Sequence, residues 1–162
     1  MEDVVASTAE IVRAPEQLSA RVGLERLEQW RHDHPGGIMH FAPAAYESPA
    51  GLFKVSFTAD FGVQIGRDAV AVHLWNTTRP TLSPRMVYAA LSLFAPLYAG
   101  ADNPPDDIAV LSLREPRLYR LSEAGRFAGL GVGLAGRIED MLRDVRDELG
   151  LPPPEDRPGG AR

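Results

Sequence analysis

Residues 52–65 read Leu52-Phe53-Lys54-Val55-Ser56-Phe57-Thr58-Ala59-Asp60-Phe61-Gly62-Val63-Gln64-Ile65, with apolar side chains at every odd position from Phe53 to Ile65. Successive side chains of a strand point to opposite faces, so this alternation predicts β-structure with one buried and one solvated face. The run exceeds the usual strand of about five or six residues, which predicts a bend or bulge near Asp60 to Gly62. Gly66-Arg67-Asp68 predicts a hairpin turn into a second strand, Ala69 to Asn76, with Val70, Val72 and Leu74 toward the core. His73 and Trp75 point the other way, onto a face neither fully apolar nor charged. A short strand at Ile38 to Phe41 is expected to join the same sheet.

Outward from this hairpin, Pro15 suits the first position of a helix running to about His32. Its Ala20, Gly23, Leu24, Leu27 and Trp30 form an apolar stripe, and Pro35-Gly36-Gly37 stops it. Ser83-Pro84 caps a second helix that runs to about Tyr98 or Ala99, stops at Gly100 and is kinked or frayed by Pro96. Met86, Ala90, Leu93, Phe94 and Leu97 form its expected inner stripe, widened by Val87, Leu91 and Tyr98. Arg85 is its only charge, so the remaining face of Tyr88, Ala89, Ser92 and Ala95 is also apolar. A domain of this size cannot surround a helix, which predicts that another chain covers part of that face.

Two short strands, Ile108 to Arg114 and Arg117 to Leu121, follow a loop of Asp102-Asn103-Pro104-Pro105-Asp106-Asp107. A last helix aligns Leu134, Ile138, Met141, Leu142, Val145 and Leu149 on one side, the pattern of a surface helix laid on a sheet. The element order is α-β-β-β-α-β-β-α. This is an α+β fold, with an antiparallel sheet of four to five strands joined by hairpins and three helices.

The 162 residues suit one domain, expected over residues 15–150 between a loosely ordered segment 1–14 and a Pro/Gly-rich flexible tail 151–162. A formal charge of −5 argues against broad capture of a polyanion. The absence of cysteine removes disulfides, thiol nucleophiles and Cys-ligated zinc. No apolar run suits a membrane helix and no signal-peptide pattern opens the chain, so the expected location is cytoplasmic. Lys54 is the only lysine among 17 basic residues, a bias that reads as GC-rich bacterial coding rather than as chemistry.

Gly131-Val132-Gly133-Leu134-Ala135-Gly136 has the spacing of a dinucleotide-binding loop. No buried strand precedes it and no second strand follows, so Gly129, Gly133 and Gly136, at helical spacing, are read as letting the helix approach another backbone; no cofactor is expected. His32-Asp33-His34 and His40 have metal-ligand chemistry, but a helix end sends His32 and His34 to different faces, and no metal is assigned. His73 suits a general base, yet no nucleophile is tied to it by a motif. Arg114, Arg117, Arg120 and Arg126 gather with Tyr119 on the last hairpin, an arrangement suited to phosphate or to an acidic protein surface.

These observations favour a non-enzymatic protein-interaction module of the adaptor, chaperone-like or immunity/antitoxin type, oligomeric and without catalytic residues. His73, Trp75, Tyr88, Ala89, Ser92 and Ala95 are its interface candidates, facing another protein or a second copy. The element order and acidic charge are similar to those of type III secretion chaperones, small acidic dimers that hold another chain. The alternative is a protein or enzyme that binds nucleic acid or a phosphate ligand through the arginine hairpin and His73.

Overall fold

A computed structural model describes residue 11, residues 13–77 and residues 79–152. Residues 153–162 of the expected flexible tail, and most of the segment 1–14 expected to be loosely ordered, lie outside the described residues. Helix α1 (Ala14–Asp33) is followed by strands β1 (Ile38–Met39), β2 (Ala44–Glu47), β3 (Lys54–Phe57), β4 (Phe61–Ile65) and β5 (Asp68–Trp75). Helix α2 (Pro84–Phe94) continues as a 3-10 turn over Ala95–Tyr98 and leads to β6 (Asp107–Ser112) and β7 (Arg117–Arg120). Two further 3-10 turns, Leu121–Glu123 and Gly125–Phe127, precede helix α3 (Leu130–Glu148).

Among the described residues the fold is α+β with three α-helices, a five-stranded sheet in the order β1-β4-β5-β6-β7 and a separate β2-β3 ribbon. The sheet is mixed, which corrects the purely antiparallel expectation: β5 and β6 pair in parallel, Val70 opposite Asp107 and Trp75 opposite Ser112. Parallel neighbours need a crossover, and α2 supplies it. The element order is otherwise roughly the expected one, with β2 added and the run 53–65 divided into two strands.

The alternating run 53–65 is divided between two sheets. β3 pairs with β2, while β4 pairs with β1 and β5. The break falls at Thr58 to Asp60, where Asp60 donates its backbone N–H to Val72 O and its carboxylate accepts from Leu74 N at 2.7 Å. These bonds turn the chain from one sheet into the other. Its odd positions therefore face two cores rather than one: Phe57 meets Phe94 beneath α2, whereas Phe61, Val63 and Ile65 lie beneath α1 with Trp30. Val55 is exposed. Gly66 and Arg67 make a two-residue hairpin, with Gly66 at a φ of 63° that favours glycine.

The sheet is covered on both faces. Trp30 and Leu27 of α1 pack on Val63, Val70, Val72, Ala109 and Leu111, and the other face carries α2 with Ala71, Ile108 and Tyr119. α2 starts after Ser83 with Pro84 as expected. It passes into the 3-10 turn where Pro96 has no N–H to return to the preceding turn.

The orientation of α2 departs from the expected stripe. Val87, Leu91, Phe94 and Tyr98 face the core, while Met86 and Leu97 are open to solvent. Small Ala89 and Ser92 instead face α3. A Cβ on Gly131 would stand 2.5 Å from Ala89 O and 2.7 Å from Leu93 N, so this glycine sets the closest approach of the two helices. Gly129, Gly133 and Gly136 face open space, which moves the close-packing role from those three to Gly131.

Candidate functional site

β5 presents His73 and Trp75 on the α2 side of the sheet, opposite Val70, Val72 and Leu74, as the alternation required. The break after β3 brings Asp60 to His73, placing its carboxylate 3.0 Å from Nδ1 while Thr58 O lies 3.2 Å from the same nitrogen. The same carboxylate also holds Leu74 N, so the pair fastens the corner between the two sheets. The sequence marks Asp60 only as part of an expected bend, because its partner His73 comes from a different strand.

Trp75, Arg114 and Tyr119 meet where the parallel strands β5 and β6 end, with Thr77, Thr81, Leu82, Ser112 and Glu115 around them. Ligands of open α/β sheets sit at such carboxyl ends. The space there is about 60 Å³, against roughly 300 Å³ or more for an ordinary ligand pocket, so it accommodates water rather than a nucleotide. A wider groove of about 440 Å³ separates the end of α1 from the β6-β7 turn. There Arg26 donates to Leu113 O and Arg114 O, and the His34 ring stacks on Trp30 at 4.2 Å. Asp33 and Arg117 remain, and their opposite charges select no ligand sign.

The arginine hairpin separates into two pairs. Arg114 donates to Asn76 O and Ser19 Oγ, tying α1 to the end of β5. Arg120 lies between Asp68 at 2.5 Å and Asp107 at 2.9 Å; burial alone would lower its pKa, and the two carboxylates more than reverse this. Arg117 and Arg126 are exposed and cover the rings of Tyr119 and Phe127, between which Tyr88 packs. Burial, followed by the nearby charge of Glu123, raises the Tyr88 pKa.

Tyr88, Ala89 and Ser92 are buried, and what covers them is this chain's own α3 and the turn before it. Gly131 N donates to Ser92 Oγ at 2.9 Å, and that hydroxyl donates to Ala89 O. The close-packed face that suggested a second chain is thus an internal contact, and Ala95 at its end is half-buried.

The apolar side of α3 is the open one. Gly131, Ala135 and Glu139 turn inward, Glu139 accepting from Ala50 N at 2.8 Å. The stripe expected to lie on a sheet faces solvent: Met141 is 67% exposed, Leu149 67%, Val145 49% and Ile138 38%. Sequence reasoning identified this stripe correctly as apolar but assigned its partner to the wrong element. α3 packs on α2, about a quarter-turn away from the stripe.

Among the described residues no helix is long and apolar enough to cross a membrane. Compared with known proteins, the chain matches no family model and no curated protein. It is similar to a solved structure described as the crystal structure of SSO0001, at 10% identity and a TM-score of 0.34, over 82% of this chain and 66% of that one.

Proposed function

We propose that this chain is a non-enzymatic interaction protein, working in the cytoplasm, that holds a protein partner on the exposed apolar face of α3. The supporting observation is that Ile138, Met141, Val145 and Leu149 lie exposed along one side of a helix whose second half is otherwise mostly charged, only partly covered by the described residues. Isolated exposed apolar residues are ordinary, but a continuous stripe is the feature of an interaction site. Met86 and Leu97 of α2 are exposed as well.

A second reading, phosphate or nucleic-acid binding, rests on Arg117 and Arg126 above their aromatic rings. Two cations beside Glu115 and Glu123 give only a weak field for a polyanion, so the α3 face is preferred.

Glu at both Met141 and Val145 tests the proposal. The variant is expected to keep its circular dichroism and melting temperature, since both side chains are already open to water. In native extract the wild type should run in a complex and the variant at monomer mass. A wild type that runs at monomer mass in the same extract overturns the proposal.

A further inference from the structure

We infer that the occupant of the α3 face is a second copy of the same helix, packed antiparallel about a two-fold axis between Glu139 and Asp140. This rests on the interaction reading above and names its partner. Leu134, Ile138, Met141 and Val145 are spaced four, three and four apart, the alternation by which one helix packs along another. Leu134 is half-buried and the other three are exposed, while the inward line of Gly131, Ala135 and Glu139 leaves this side free.

Charge decides direction and register. Arg137 and Asp144, seven residues apart, flank the stripe on its solvent side, and both are exposed. Among the described residues the ion pairs of α3 are those of Arg143 with Glu139 and Asp140, in which neither takes part. In an antiparallel pair that sets Ile138 against the second copy's Met141, and Leu134 against its Val145, Arg137 falls beside Asp144 of the other copy. Symmetry makes this contact twice. A slip of one heptad in one direction opposes Arg137 to Arg137, and in the other opposes Asp144 to Asp144. A parallel pair sets these two charges against Leu142 and Leu149, with no opposite charge to meet. Of these arrangements, the antiparallel one alone sets Arg137 against Asp144, by the rule that charges beside the seam set partner and orientation in paired helices. The contact is short, four layers over about 16 Å of helix, which places it among weak, exchanging interfaces.

Light scattering of the purified protein from about 1 to 100 µM tests this, a range that spans weak association. The wild type should pass from monomer to dimer. Arg137→Asp or Asp144→Arg alone should weaken the dimer roughly tenfold or more, because each change acts at both symmetric contacts. The combined Arg137→Asp, Asp144→Arg variant should restore it. A purified wild type that stays monomeric overturns the second-copy inference, and only the absence of a complex in extract would also overturn the interaction reading. A dimer unaffected by either single reversal, or not restored by the double, overturns the antiparallel register.

Discussion

Gly131→Ala adds one methyl group at the point where α3 crosses α2. That Cβ would stand 2.5 Å from Ala89 O, 2.7 Å from Leu93 N and 2.7 Å from Ser92 Oγ, two of them backbone atoms that cannot swing aside. Overpacking of this kind costs about 1–3 kcal/mol. Separation of the helices also strains the buried Gly131 N to Ser92 Oγ bond, worth about 1 kcal/mol. Against this, alanine in place of glycine inside a helix gains up to about 1 kcal/mol. The net expectation is a loss of about 2 kcal/mol, or a melting temperature lower by roughly 4–8 °C for a chain of this size. Gly133→Ala and Gly136→Ala meet open space and retain only the gain, so each should raise stability by a few tenths to about 1 kcal/mol. Thermal unfolding followed by circular dichroism compares the three. A Gly131→Ala variant as stable as Gly133→Ala would refute the close-packing account of the α2-α3 contact.

Phe57→Ala should cost about 3–5 kcal/mol in chemical denaturation, because the ring is buried against Phe94; a loss under about 1 kcal/mol would place Phe57 outside the core. Asp107→Ala removes the acceptor of Arg120 Nε, Ser122 Oγ and Ile108 N, and should cost about 3 kcal/mol or more, with little relief from added salt. The raised Tyr88 pKa favours the neutral phenol in the folded state. Its contribution is therefore complete below the unfolded value of about 10 and falls away as pH rises through the higher folded value. Tyr88→Phe should flatten that alkaline loss in a pH series of melting temperatures, and an unchanged slope would contradict it.

Much of the local structure was legible in the sequence and its assembly was less so. The alternation in residues 53–65 announced strands, but alternation states only which residues share a side. It does not say that Phe57 and Phe61 face different cores, since that depends on Asp60 bonding to Val72 and Leu74 of a later strand. β2, reading Ala44-Ala45-Tyr46-Glu47, leaves no trace in the sequence because four residues with one large apolar side chain carry no period. The parallel pair left a trace in Ile108-Ala109-Val110-Leu111, a continuous apolar run of the kind a strand covered on both faces requires. Apolar residues surround almost all of α2, so composition alone did not fix its rotation; the small side chains of Ala89 and Ser92 opposite Gly131 did. For the site, the alternation of β5 sets His73 and Trp75 on their observed face, whereas half of the arginine group is engaged within the chain, Arg120 with Asp68 and Asp107 and Arg114 with Asn76 O and Ser19 Oγ. An apolar stripe on a helix indicates that something is to be covered, and α3 meets α2 with a different side.

A photo-crosslinking amino acid introduced at position 141, in the cells that make the protein, tests the docking face most directly. Position 147, on the opposite and charged side of α3, serves as the control. The account predicts a discrete covalent adduct from position 141 and none from 147, with a mass of two chains if the partner is a second copy. Absence of an adduct at 141, or equal labelling from both positions, would contradict it.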